Sequence, residues 1–188
     1  MVDVGGRAAS FGAQRLSSGN LYHVKLYIMR HGPAEDQSPS GRDEHRALTP
    51  SGRERVRAVA RALVELDEAP LSVFSSPLVR ALQTAEIVAA VTKLRDSDGG
   101  LEIHPDLAPG GHALELAKSL LQPKRKRVML VGHEPDLSLL AGLLLGEPIP
   151  VPLDRAMVIG LLAKTGSAAL RFVLDPKTLA LTIDLRAR

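Results

Sequence analysis

Val24-Lys25-Leu26-Tyr27-Ile28-Met29-Arg30-His31-Gly32-Pro33 is the stretch on which the fold turns. Residues 24–29 form a compact strand signal, and the Gly32-Pro33 breaker ends it where a loop must begin. Arg30 and His31 therefore fall at the carboxyl end of a strand. A second such strand lies at 128–131 (Val-Met-Leu-Val), nearly all apolar in the manner of a parallel strand covered on both faces. Gly132-His133 closes it, and the basic stretch Lys124-Arg125-Lys126-Arg127 leads into it.

The segments around these two strands alternate between helix and strand signals. Thr49 supplies an N-cap hydroxyl and Pro50 a first helical position, after which Val56, Val59, Ala60, Leu63, Val64 and Leu66 make the apolar stripe of a helix of about four turns. A short strand over 71–76 follows, and Pro77 opens a second helix that carries Arg80 in its first turn. An edge strand over 101–107, a helix over 111–122 stopped by Pro123, and a helix over 136–145 come next. Strands over 156–163 and 168–174 flank the turn Lys164-Thr165-Gly166-Ser167, and the tail beyond them has no decisive pattern. This order predicts an α/β fold: a three-layer helix-sheet-helix sandwich whose mainly parallel sheet closes with a C-terminal antiparallel hairpin. Residues 1–22, without helical or strand periodicity, are expected to be a flexible N-terminal extension to a single domain over 23–188.

Composition narrows the chemistry. With no cysteine, disulfides, thiolate metal sites and cysteine nucleophiles are all excluded, so histidines, carboxylates and hydroxyls must carry any covalent step. The apolar run over 137–146 is far shorter than the roughly 20 residues of a membrane span, and no signal-like segment opens the chain, so a cytoplasmic protein with no membrane partner is expected. A net charge of +3 suits an anionic substrate. Only 3% of residues are aromatic and none is tryptophan, so base stacking has little to work with and no nucleic-acid partner is expected.

In open α/β sheets the ligand crevice lies beyond the carboxyl ends of the strands. Three segments place polar side chains there: Arg30-His31-Gly32, Ser75-Ser76-Pro77 with Arg80 just beyond, and Gly132-His133-Glu134. Two histidines and two arginines brought together would suit phosphoryl chemistry, because guanidinium forks bind phosphate oxygens bidentately and a neutral imidazole nitrogen can attack phosphorus. Each residue also has a plainer reading: Arg30 and Arg80 as exposed charges, His133 as a cap on the next helix, Ser76 as a turn hydroxyl, and Arg46 as part of a solvated charged loop. His112, following Gly110-Gly111, faces the expected crevice.

In this order the motifs Ile28-Met29-Arg30-His31-Gly32, Leu48-Thr49-Pro50-Ser51-Gly52, Ser75-Ser76-Pro77-Leu78-Val79-Arg80-Ala81-Leu82-Gln83-Thr84-Ala85 and Val131-Gly132-His133-Glu134-Pro135 resemble the histidine phosphatase superfamily, and within it the SixA-type phosphohistidine phosphatases. The likeness runs over about 24–176. It implies the phosphoglycerate mutase-like form of the sandwich, His31 as the nucleophile that becomes phosphorylated, Arg30 and Arg80 as phosphate clamps, and His133 as the second histidine beside the phosphoryl group. Arg46 matches an additional phosphate-pocket arginine. No metal and no cofactor are expected, since the arginines supply the positive charge. Larger members protonate the leaving oxygen with a carboxylic acid; here Glu35, Asp36 and Glu134 are nearby, and Glu35 is the possible donor. The expected substrate is a protein phosphohistidine of the phosphotransfer type, handled by a monomer or weak dimer. The alternatives are a hydrolase of small phosphate esters with the same nucleophile and a non-catalytic phosphate-binding or docking domain.

Overall fold

The structure, a computed structural model, describes residues 23–185, so the extension expected over 1–22 lies outside it. Its elements are β1 (Val24–Arg30), α1 (Pro50–Glu65), β2 (Ser72–Ser75), α2 (Val79–Thr92), β3 (Gly100–Ile103), α3 (Ala113–Leu120), β4 (Arg127–Gly132), α4 (Asp136–Leu145), β5 (Val158–Lys164), β6 (Ser167–Leu174) and β7 (Leu181–Thr182). These strands form one sheet in the order β3-β2-β4-β1-β5-β6-β7. The β3-β2-β4-β1 half is parallel, and β5, β6 and β7 continue it antiparallel. The sheet is therefore as expected, except that a third antiparallel strand, β7, extends the hairpin from the tail.

β1 is the junction, pairing parallel with β4 on one side and antiparallel with β5 on the other. Being central, it is covered on both faces, which is why its apolar run does not alternate with polar residues. Val24, Leu26 and Ile28 share one cluster with Val128 and Leu130 of β4, Leu116 and Leu120 of α3, and Leu137 and Leu140 of α4. Tyr27 and Met29 share the other with Met129 and Val131, Val56 and Leu63 of α1, and Ala81, Ala85 and Val88 of α2. Helices α1 and α2 thus cover one face and α3 and α4 the other, completing the three-layer sandwich.

Beyond shifts of a residue at several strand ends, four elements depart from the sequence reading. β3 stops at Ile103 and a single 3-10 turn, Pro105–Leu107, replaces the rest of the expected strand, because Pro105 has no N–H for a ladder. Helix α2 begins at Val79 rather than Pro77, with Leu78 extended at its N-cap. Helix α3 is confined to Ala113–Leu120; Leu121 donates to the Lys118 carbonyl and closes it. β5 begins at Val158 because Ala156 adopts a left-handed φ of 70° and turns its N–H onto the carbonyls of both Arg30 and His31.

The start of α1 is fastened directly to the loop after β1. Thr49 Oγ1 accepts the Gly52 N–H at 2.9 Å, and the Thr49 backbone N–H donates to the Pro33 carbonyl at 3.1 Å. Gly52 packs so closely there that a Cβ would stand 2.0 Å from the Pro33 oxygen. Toward the other end of β1, Glu68 accepts from Tyr27 Oη at 2.7 Å, from Lys25 Nζ at 3.0 Å and from both terminal nitrogens of Arg171 at 2.8 Å, joining the α1–β2 link to β1 and β6. Burial raises the Glu68 pKa, but the hydrogen bonds from Arg171, Tyr27 and Lys25 more than reverse it, to about 2. No helix among the described residues is long and apolar enough to cross a membrane.

The α1 start yields a graded prediction. Thr49→Ala should cost about 1 kcal/mol, the usual worth of an N-cap. Gly52→Ala sets a methyl against a backbone oxygen that cannot rotate away and should cost about 3 kcal/mol or more. Urea unfolding of the two variants measures the order, and equal losses would contradict it.

Candidate active site

Strands β2, β4 and β1 are neighbours and parallel, so their carboxyl ends meet. The His31 N–H donates to the Gly132 carbonyl at 3.1 Å and the Ser76 N–H to the Val131 carbonyl at 3.0 Å, which brings the three expected segments to one level. The His31 and His133 rings then lie with centroids 5.1 Å apart and planes inclined at 52°.

His31 is buried, and its Nδ1 lies 2.8 Å from the Gly32 carbonyl oxygen. A carbonyl only accepts, so Nδ1 carries the ring proton and Nε2 keeps its lone pair. Burial lowers the His31 pKa to about 4, aided by the charges of Arg80, Arg30 and Arg155 and opposed by the Gly32 hydrogen bond. His133 Nε2 is 2.8 Å from Ser76 Oγ, which itself accepts the Leu78 N–H at 3.2 Å and shares a hydrogen bond with the ring. His133 Nδ1 is a buried atom with no protein partner. Burial, followed by the neighbouring His31 and Arg80, lowers the His133 pKa to about 3. Both imidazoles are therefore neutral at pH 7.

The arginines are held by carbonyls and one carboxylate. Arg30 Nη1 donates to the Leu153 carbonyl at 2.6 Å. Burial lowers the Arg30 pKa, with the charge of Glu134 acting the other way. Arg80, also buried, donates from Nη1 to the Asp43 carbonyl at 2.8 Å and from Nη2 to Asp43 Oδ2 at 2.9 Å. Arg46 donates from Nη1 to the Glu35 carbonyl at 3.1 Å, and its Nε stands 2.8 Å from Asp43 Oδ1 in an ion pair whose N–H is not aimed at the oxygen. The Nε atoms of Arg30, Arg46 and Arg80 are buried without a hydrogen-bonding protein partner, as is His133 Nδ1. A buried polar group left without a hydrogen bond costs about 1–3 kcal/mol, so these atoms on neighbouring side chains form a cradle suited to an oxyanion.

Structural residues of the motifs hold this cradle. The Gly32 N–H donates to Thr84 Oγ1 at 3.0 Å, and Thr84 donates to the Arg80 carbonyl at 2.7 Å, tying the loop after β1 to the first turn of α2. Gln83 Oε1 accepts the Leu48 N–H at 2.8 Å. On the other side, the turn over 153–157 supplies the Leu153 carbonyl for Arg30 and the Ala156 N–H for the carbonyls of Arg30 and His31.

Of the residues singled out from sequence, Arg30, His31, Arg80 and His133 come together, and Arg46 joins them through Asp43. Glu35 is exposed, and its carbonyl rather than its carboxylate holds Arg46. Glu134 accepts from Ser138 at 2.6 Å through Oε2, while its Oε1 is buried without a protein partner. His112 lines a separate cleft with Asp136, Leu139 and Leu143. Three participants escaped the sequence reading: Asp43, the carbonyl of Leu153, and the Ser76 hydroxyl as the partner of His133. Asp43 carried no signal, since its stretch of charges looks like any solvated loop and its partner Arg80 lies 37 residues away.

Comparison with known proteins agrees with this geometry. Residues 26–108 match the model of the histidine phosphatase superfamily, branch 1. An uncharacterised protein of Picosynechococcus sp. is 35% identical over 169 residues, covering 85% of this chain and 96% of that one. The phosphohistidine phosphatase SixA of Escherichia coli K12 is 30% identical over 162 residues, covering 81% and 94%. The solved structure of the protein histidine phosphatase SixA complexed with tungstate superimposes with a TM-score of 0.75 at 25% identity, over 84% of this chain and all of that one. The sheet order, the motifs and these relatives together make the chain a member of the histidine phosphatase superfamily, with SixA-type architecture.

Proposed function

We propose that this protein is a metal-independent phosphatase that removes the phosphoryl group from protein phosphohistidine through a phosphohistidine intermediate on His31. The observation that carries the reading is the His31 ring, neutral, fixed by its Nδ1–H on the Gly32 carbonyl, and free at Nε2 beside the buried Arg80 and the half-buried Arg30. Nε2 attacks phosphorus; Arg30 and Arg80 hold the equatorial oxygens, whose charge dominates the barrier in phosphoryl transfer. With its proton on the unpartnered Nδ1, His133 supplies a further neutral donor to the same oxygens, and Arg46 adds charge at the rim. Water then displaces the neutral His31 ring from phosphorus and releases inorganic phosphate.

A macromolecular substrate fits the open setting of the site. Residues 100–107 are spent on β3 and one 3-10 turn, which leaves no free stretch long enough to fold over a small metabolite. The SixA relatives, named as phosphohistidine phosphatases, and the tungstate held by one of them, a tetrahedral oxyanion like phosphate, support the same reading. For an ester substrate, Glu35 would be the donor to the leaving oxygen, but its exposed carboxylate speaks for a reaction that needs no strong acid.

The protein should therefore dephosphorylate a histidine-phosphorylated phosphotransfer domain in preference to small phosphate esters, and a preference for the esters would refute the assignment of substrate. Acid-quenched reactions should contain an acid-labile phosphoenzyme that His31→Ala abolishes, and normal turnover by that variant would refute the nucleophile. Arg80→Ala should lower kcat/KM by about 10²–10³.

Acid should act through both histidines. Their pKa values fall from the ordinary 6.5 to about 4 and about 3 on folding, so below pH 6.5 the unfolded chain binds more protons than the folded one. Stability is then complete above pH 6.5 and declines as the pH falls toward 4, by up to about 1.4 kcal/mol per pH unit for each histidine. Urea unfolding at pH 7 and pH 5 measures the slope, and His133→Asn should flatten it. The acid limb of phosphoenzyme formation should lie near pH 4 rather than 6.5.

A further inference from the structure

Asp43 stands in the candidate site with no part in the chemistry described so far. Its carboxylate joins two arginines, through Oδ2 to Arg80 at 2.9 Å and through Oδ1 to Arg46 at 2.8 Å, while its carbonyl takes a second hydrogen bond from Arg80. Arg80 has only 6% of its side chain exposed, yet 62% of the Asp43 side chain faces solvent, so Asp43 marks the mouth of the cradle and Arg80 its wall. The Asp43 charge also reaches His133. Each carboxylate oxygen has a lone pair left after its arginine contact.

We propose that Asp43 selects a phosphohistidine over a phosphate ester: its carboxylate accepts the N–H of the substrate ring's second nitrogen while the first nitrogen yields its phosphoryl group to His31. This rests on the phosphohistidine reading above. The balance of the step explains why the contact matters. A phosphorylated imidazole protonated on its second nitrogen departs as neutral imidazole. The electron pair of the breaking P–N bond stays on the departing nitrogen, and the distal proton stays where it was. Without that proton the leaving group would be an imidazolate, a far poorer one. On the receiving side, His31 keeps its own distal proton on the Gly32 carbonyl while Nε2 bonds phosphorus. The phosphoryl group thus passes between two imidazoles, each with its second N–H held by an oxygen, and no general acid is required.

Asp43 is placed for this by its contact with Arg80: the arginine that would hold the phosphoryl oxygens also holds the carboxylate, on the side open to solvent. The same carboxylate gives nothing to an ester. Although burial raises its pKa, the hydrogen bonds and charges of Arg80 and Arg46 hold it below the usual carboxylate range, so it has no proton for a leaving alkoxide.

The test compares N-phosphoimidazole with p-nitrophenyl phosphate, whose leaving group departs without a proton, in the wild type, Asp43→Asn and Asp43→Glu. The amide preserves shape and an oxygen for Arg80 but not the charge. The ratio of kcat/KM for phosphoimidazole to that for the ester should fall about 10- to 100-fold in Asp43→Asn, the worth of one charge-assisted hydrogen bond. Asp43→Glu should recover part of it. The alkaline limb of kcat on phosphoimidazole should move to lower pH in Asp43→Asn, since the bound ring loses the anion that keeps it protonated. Equal losses on both substrates with an unmoved limb would show that Asp43 merely orients Arg80 and would overturn the inference alone. A wild type that hydrolyses the ester but neither phosphoimidazole nor a phosphohistidine protein would overturn the proposed function and the inference with it.

Discussion

The parallel pairing of β1 with β4 is the constraint from which the site follows. Register Arg30↔Gly132 sets the last residue of one strand beside the last residue of the other, so the next residue of each chain is a histidine leaving the sheet at the same level. A one-residue slip would turn every β1 side chain to the opposite face, placing Tyr27 and Met29 in the α3–α4 cluster and carrying His31 away from His133. The two apolar clusters, which make such a slip costly, therefore hold the 5.1 Å separation of the rings as well as the fold.

Burial then gives the assembled groups their character. Two imidazoles buried beside cations stay neutral at pH 7. The arginines remain cationic, and their cost of burial is met in part by Leu153, Asp43 and Glu35 oxygens, with the Nε of each making no protein hydrogen bond. A surface patch of the same composition would have its donors satisfied by water and its histidines near their ordinary pKa, and would hold an oxyanion far less firmly.

Rigidity reaches the site from its supports. Thr84 couples Gly32 to Arg80, the Pro33 carbonyl couples the same loop to α1, and the turn over 153–157 braces Arg30 from beyond β5. Toward the amino end of β1, Glu68 gathers Lys25, Tyr27 and Arg171, so the central strand is pinned at both ends. The loop bearing Asp43 and Arg46 is the more open part.

The sequence by itself determined the layers and most of the cradle. Uninterrupted apolar runs ending in Arg-His-Gly and Gly-His specify buried parallel strands with polar tips, because a strand covered on both faces leaves only its end for chemistry. Thr49-Pro50 and the 3.6-residue stripes specify the helices in the same local way. Strand order was beyond it: that β4 inserts between β1 and β2 depends on crossovers, not on any residue's own preference. So was the boundary at Val158, where the left-handed Ala156 answers to Arg30 and His31, distant in the chain. Asp43 is the clearest case. Read along the chain it is one charge among several in a loop; only the packing of that loop against α2 sets it on Arg80, because an ion pair between residues 37 positions apart is a property of the fold and leaves no periodicity in the sequence.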